Sequence, residues 1–566
     1  MLLISGRAFH PENDMETIRT ESKSRDATEN GIETLRHVAD SIPITGWIAI
    51  AISGAERLLF YAVTIPWQNY IQNGRDSVAV PGELGLGQAI ATNLSSAFYF
   101  FTYVAPTPFA ILSDVWLGRY VTLCISVFLS FCGCLVLFIT SLPAVDSETL
   151  KIVGLAMAMF LLGLGTGGVK ATVAPFIGDQ YPVKSPQISV NKSGKPVVVD
   201  RALTLQYIYN IFFWFTNLGS MAMIASTYLE RQVGFWAAYL LPLCSTALLL
   251  PSLLLFRKTF GRSRMEDPCC TLRVEERISF AVKLAPQGNV LPKVAKVMLH
   301  SARHRFKLDA ARPAYQAQAH GRIVDWDDDF VSEMRRGLKA CKVVVCFVPF
   351  HLCMNQIINN LISQAGQMQL AGIPNDTIQA LEPLCCVILG PLAQKVLYPT
   401  LRSAGIRFGP ISRMTWAFLI MGGAMAMAAG VQQVIYTRAP CYQYPLHCMG
   451  EEGDTIPNEI SVWLQTPIYF LLALAAILGL ATMAEYTYSE APTNMRSLVQ
   501  AITQLGTGVG SGLGMALSPI SVSPKILWLY TGLSFTMIII APIFWLLFRS
   551  YDKKESASTS SEQGHS

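Results

Sequence analysis

The sequence predicts an all-α integral membrane protein, with about twelve transmembrane helices in two six-helix bundles. Three observations predict it. Only 14% of the 566 residues are charged and 52% are hydrophobic, whereas soluble domains carry about 25% charged residues. Mean hydropathy is +0.38, and a surface that apolar aggregates in water but is solvated by lipid. Apolar runs long enough to cross ~30 Å of hydrocarbon recur along the chain. A segment with roughly 18 Lys and Arg, Arg257 to Lys342, divides these runs into two groups of six.

Residues 1–43 are polar and charged, without the apolar core of a cleaved signal peptide, and read as a cytosolic arm. The first bundle, 44–256, holds spans at 46–72, 88–113, 118–141, 151–176, 203–227 and 232–256. The basic linker is 257–341. The second bundle, 342–549, holds spans at 342–366, 377–401, 411–436, 460–488, 497–520 and 526–549, and 550–566 is a polar tail. Positive loops stay on the cytoplasmic side, so the linker fixes the orientation. Both termini become cytoplasmic, together with the loops carrying Asp114/Arg119, Lys184/Lys192/Lys195 and Arg402/Arg407/Arg413.

The 13 cysteines show no CxxC spacing, which argues against a zinc site, and the sequence implies no metal and no cofactor. Most lie in apolar runs as small buried thiols. Cys441 and Cys448 differ: they sit in a polar, Pro-containing loop on the predicted outer side and are a candidate disulfide. Asn375-Asp376-Thr377, also predicted outside, is a glycosylation sequon. Gly163-Leu164-Gly165-Thr166-Gly167-Gly168 fits G-x-G-x-x-G but lies in a membrane helix with no βαβ pattern, so close helix packing is the better reading. His300 and His304, four apart without the Glu of H-E-x-x-H, read as solvated. No Walker A loop is present, which argues against a nucleotide-driven pump, and nothing points to nucleic acid.

Ionisable groups at membrane depth cost a few kcal/mol or more, so each calls for a partner or a function. Glu56 and Arg57 fall in the first span, Lys170 in the fourth and Glu485 in the tenth. Two acids and two bases from both halves sum to zero, and around a wet cavity they would grip the two ends of a zwitterion. Interhelical ion pairs without a ligand are the alternative.

Asp114-Val115-Trp116-Leu117-Gly118-Arg119-Tyr120, between the second and third spans, is echoed by Ser403-Ala404-Gly405-Ile406-Arg407-Phe408-Gly409, between the eighth and ninth. This short Gly-Arg turn resembles the major facilitator superfamily, whose fold it implies. In that superfamily Asp114, Gly118 and Arg119 would act as conformational contacts between helix ends.

Longer strings carry a more specific resemblance. Ser53-Gly54-Ala55-Glu56-Arg57-Leu58-Leu59-Phe60-Tyr61 resembles the Glu-x-x-Glu-Arg-Phe-x-Tyr-Tyr motif of the proton-dependent oligopeptide transporters. Phe100 to Pro106 with Asp114, Gly165 to Lys170 with Gly178-Asp179-Gln180, Phe212 to Gly219, and Glu485 to Pro492 resemble that family's second-, fourth-, fifth- and tenth-helix signatures. The seventh span and the Cys441/Cys448 loop resemble its fungal members, and the likeness covers roughly 45–550. It implies a di/tripeptide carrier driven by a proton gradient, monomeric and in the plasma membrane, working by alternating access. Glu485 would meet the peptide ammonium, with Asn217 and Ser489 nearby. Arg57 and Lys170 would attract the carboxylate, Tyr61 and Tyr103 would line the pocket, and Glu56 and Glu485 would carry protons. Three departures stand out: Ser53 replaces an acid, Phe60 a tyrosine, and Asn355 stands where bacterial members place an acid. Ser and Asn cannot relay a proton. A same-fold carrier of a non-peptide metabolite with altered coupling therefore stays open. An enzyme would need a clustered nucleophile or metal set, which the sequence lacks.

Overall fold

The computed structural model describes residues 37–75, 77, 80–181, 187–190, 196–199, 201–255, 290–304, 307–321, 324–404, 408–445, 448, 456–490 and 496–562. Twelve helical passes run through these residues. The first six are Ile44–Thr64, Gln88–Val104 continued by Pro106–Leu112, Arg119–Thr140, Glu148–Asp179, Arg201–Ser220 continued by Ala222–Gln232, and Phe235–Leu255. The seventh is built of Asp328–Cys346, Val348–Ile358 and Asn360–Gly366, and the eighth of Leu381–Leu392 and Tyr398–Ser403. The ninth is Pro410–Thr437, the tenth Thr466–Ala476 with Thr482–Glu490, the eleventh Arg496–Ala516 and the twelfth Ile526–Glu562. Ten described helical stretches are long and apolar enough to cross a membrane. The second and eleventh passes are not among them.

The seventh pass begins at Asp328, ahead of the apolar run expected from 342. Asp327 caps it by accepting from the Phe330 N–H at 2.9 Å, and Asp328 and Asp329 sit where the helix dipole favours anions. This charged half packs on the linker helix Val290–Arg303 through Val297, Trp326 and Met334. Arg335 and Arg312 both bond Asp309, at 2.5 and 3.1 Å, and Lys296 bonds Asp325 at 3.0 Å. The linker therefore contains folded structure in its second part. A short sheet departs from the all-helical expectation: His37–Val38 pairs in parallel with Pro196–Val199, which pairs antiparallel with Gln187–Val190.

Each half has its own core. In the second, Phe347, Phe350, Phe418, Tyr469, Tyr530 and Phe544 are buried in one cluster. In the first, one cluster gathers Trp67, Tyr70, Phe98 and Tyr239, and another Ile50, Leu123, Val173 and Leu253. Large apolar side chains also cover the outside, Leu248 and Trp528 being 76% exposed. Such an exterior suits lipid contact. Glycines set the close approaches. A Cβ on Gly165 would lie 2.2 Å from Ser130 Oγ on the third pass, and one on Gly167 2.5 Å from Ala105 Cβ on the second. The Gly163–Gly168 run is thus a packing surface. Gly219 on the fifth pass faces the Gly54 carbonyl oxygen of the first, 2.2 Å from where its Cβ would be.

Gly219→Ala must push two backbones apart and should cost about 1–3 kcal/mol. Gly423→Ala, which meets open space, should be neutral or gain up to about 1 kcal/mol of helix propensity. Thermal unfolding of both variants in detergent checks this; equal melting temperatures would refute the packing assignment.

Candidate functional site

The first pass presents Glu56, Arg57 and Tyr61 from consecutive turns, and the Gly54/Gly219 approach draws the fifth pass against it. Glu56 is 4% exposed, and its Oε2 lies 3.3 Å from Arg57 Nε. Lys170, from the fourth pass, places Nζ 4.2 Å from the Tyr103 ring centroid and 4.8 Å from that of Phe60. Cation–π attraction therefore partly replaces water around that ammonium. Arg57 lies 5.8 Å from the same Phe60 ring, so the two cations share one aromatic wall. Lys170 Nζ is buried with no hydrogen-bond partner, and Glu56 Oε1 is equally unpartnered. On this wall two cations stand against one carboxylate, an excess of positive charge that suits an incoming anion.

The opposite wall supplies an acid that the sequence reading missed. Glu382, in the first turn of the eighth pass, accepts from Cys386 Sγ at 3.2 Å. Tyr61 lies within electrostatic reach of both Arg57 and Glu382. It packs with Ile65 and Met223 of its own half and Ile362 and Ala380 of the other. The missed signal was simple: Glu382 is an ionisable residue inside the 377–401 apolar run, the same criterion that singled out Lys170.

Glu485, expected beside Arg57 and Lys170, stands on the tenth pass. Its side chain is 69% exposed and lies 3.7 Å from Arg413 Nη1, whose guanidinium sits over the Tyr398 ring at 4.1 Å. A π-helical turn at Ile477–Ala481 precedes Glu485. A π turn holds extra residues per turn and rotates everything after it relative to an ideal helix. Asn217 is on the fifth pass, its amide donating to the Phe213 carbonyl at 2.8 Å. Ser489 lies in the helix Thr482–Glu490, with its side chain outside the described residues.

Asp114 falls in a π-helical turn, Ser113–Leu117, its side chain outside the described residues. Gly118 follows with φ +78°, a conformation that favours glycine, and Arg119 opens the third pass. Gly405 to Arg407 of the echoing turn lie outside the described residues. Cys441 and Cys448 are bonded to each other, their Cα atoms 5.5 Å apart. Among the described residues, no group of three His, Cys, Asp or Glu could hold a metal.

The acids absent by sequence are replaced by neutral groups. Ser53 is buried, and Asn355 Oδ1 accepts from Ser96 Oγ at 3.0 Å, joining the seventh pass to the second. Similar neutral bonds cross between halves at the end opposite the termini: Gln68 to Ser363 at 3.1 Å, Thr92 to Asn360 at 3.2 Å and Asn69 to Asn375 at 2.8 Å. Asn375 is 1% exposed and also donates to the Ile362 carbonyl, so its sequon has no room for a glycan in this conformation.

Residues 120–533 match the profile of PTR2, described as the POT family. A relative named peptide transporter PTR_A, from Candidozyma auris, is 37% identical over 96% of this chain and 88% of its own length. Among solved structures, the POT family transporter PepTSo superposes with a TM-score of 0.66 at 20% identity, covering 91% of this chain and 99% of that one. A POT family transporter in complex with 5-aminolevulinic acid superposes with a TM-score of 0.62 at 16% identity, covering 90% and 97%. Both structures share the fold.

The excess positive charge makes a stability prediction. Lys170→Met, which keeps the stem and removes the unpartnered ammonium, should leave the cargo-free protein as stable or more stable. Glu56→Gln removes the neutralising acid and should lower the melting temperature. Thermal scans in detergent read both; a drop for Lys170→Met together with no drop for Glu56→Gln would contradict the charge count.

Proposed function

This chain belongs to the POT family, a family of transporters rather than enzymes, and on that footing we propose that it carries di- and tripeptides across a membrane, coupled to protons, by alternating access of its two halves. The observation that carries this reading is the placement of opposite charges on opposite halves. Arg57 and Lys170 stand on the first half and Glu382 on the second, with Tyr61 between them. Every free peptide has an ammonium at one end and a carboxylate at the other, while its middle varies. Fixed charges for the ends and an aromatic wall for the middle bind many peptides without reading their side chains.

In this reading Arg57 and Lys170 take the carboxylate, Tyr61 and Tyr103 line the pocket, and Glu382 takes the ammonium in place of Glu485. Glu56 beside Arg57 and Glu382 are the acids placed to exchange protons with the cargo site. Asn217 stays a candidate pocket residue, and Glu485 with Arg413 becomes a contact between the ninth and tenth passes. The basic linker supports cytoplasmic termini by the positive-inside tendency, and the plasma membrane is the expected location. A second reading is a small zwitterion without a peptide bond. It is favoured by the lost acids at Ser53 and Asn355 and by the neighbour bound to 5-aminolevulinic acid.

Uptake of labelled di- and tripeptides and of 5-aminolevulinic acid into proteoliposomes, with and without an imposed proton gradient, separates the two. Peptide uptake raised by the gradient is expected; uptake of the amino acid alone would select the second reading. Glu382→Gln should lower dipeptide uptake by about tenfold or more, the loss of about 1.4 kcal/mol of binding or more. Unchanged uptake would remove Glu382 from the site. Lys170→Gln should impair a dipeptide with a free carboxylate while sparing its C-terminal amide, read as a competition ratio. Equal impairment of both would separate Lys170 from the carboxylate.

A further inference from the structure

We propose that Glu230 and Asp376 form a proton-binding latch between the two halves at the end opposite the termini, closed while one shared proton bridges their carboxyls and released when it leaves. Glu230 lies in the last turn of the fifth pass and Asp376 in the turn before the eighth. Their exposures are 3% and 0%. The two carboxyls are within hydrogen-bonding reach of each other. Glu230 Oε1 accepts from Asn69 Nδ2 at 2.9 Å. Glu230 Oε2 and both Asp376 oxygens are buried without a well-formed hydrogen bond from the protein. Ionised carboxylates only accept, so two in contact offer acceptors and no donor. A proton is the donor that joins them, as in other carboxyl pairs that share one.

The surroundings reinforce this. Arg231 is the cation whose charge reaches Asp376, while its Nη1 donates to the Ile373 carbonyl at 2.6 Å. The phenols of Tyr239, on the sixth pass, and Tyr70, just beyond the first, are the neighbouring titratable groups. Glu83 reaches the same region but is already paired with Lys151 and Arg75. One guanidinium against two carboxylates leaves one negative charge uncompensated, which one proton cancels. Burial strengthens the hold of Asp376 on that proton. Asn69 with Asn375, and Thr227 Oγ1 with Thr377 Oγ1 at 2.6 Å, are neutral partners across the same seam. Among the described partners named at this seam, the acid pair is the element that exchanges a proton. Its closed form binds a proton more tightly than its open form, so rising pH favours opening of this end.

The inference rests on relative movement of the two halves and not on the identity of the cargo. The test uses the full chain in lipid nanodiscs without cargo. Spin labels on ketone-bearing unnatural residues replace Val233 and Trp463, exposed positions at this end of either half. In the wild type, the ratio of closed to open distances should fall by about tenfold or more between about pH 5 and pH 8. Glu230→Gln and Asp376→Asn place an amide donor where the proton sat, and each should hold the closed distance throughout. If one variant fails to fold, the other carries the test. An infrared band of a protonated carboxyl at neutral pH, lost in either variant, is an independent readout. A wild-type distance indifferent to pH, a variant that opens as the wild type does, or no such band would overturn the latch. An equal response to added Na⁺ or K⁺ at fixed pH would make the ligand a metal cation and overturn it too. Failure of peptide uptake alone would leave every one of these readouts unchanged.

Discussion

An ammonium held at membrane depth by aromatic faces, with no hydrogen-bond acceptor, is the interaction from which the rest of this structure follows. Lys170 rests against Tyr103 and Phe60, with Arg57 on the same wall and Glu56 beside it. In a medium of low polarity such an excess is costly unless a mobile anion completes it. The first half therefore carries a charge imbalance that bears on its stability. Glycines make this possible. The Gly54–Gly219 and Gly165–Ser130 approaches bring the first, third, fourth and fifth passes close enough for side chains on separate helices to share one pocket.

The two halves divide the chemistry between them. The first supplies cations and rings; the second supplies Glu382, poised beside Tyr61 and bonded to Cys386. Between them, the end opposite the termini is sewn by amides and hydroxyls. Neutral hydrogen bonds of this kind contribute about 0.5–1.5 kcal/mol each. Such a seam can hold without being permanent. The carboxyl pair of Glu230 and Asp376 adds sensitivity to protons where the amides have none.

Several elements were legible from residue order alone. Hydrophobic run length located most of the passes, because ~30 Å of hydrocarbon demands about 20 apolar residues whatever their neighbours. The small-residue run 163–168 was readable as a packing surface, because only glycine admits a Cβ-free approach. Arg57 and Lys170 were singled out as charges at depth, Tyr61 and Tyr103 only by the family resemblance, and both cations lie against the Phe60 ring. The seventh pass was read short, because the helical turns before 342 are charged and carry no apolar signal. Their partners, Trp326 and Asp309, are linker residues whose packing no local pattern reveals.

What sequence by itself determined was the solvent of the chain, its twofold division and the pool of charges from which a site is drawn, since these depend on composition and run length. Only tertiary structure decided which charges meet. Glu485 follows a π turn at 477–481 and lies beside Arg413, a contact that residue order does not signal. Glu382 and the Glu230–Asp376 contact arise from passes far apart in the chain. Their meaning lies in distance and burial, and neither is encoded by a residue's immediate neighbours.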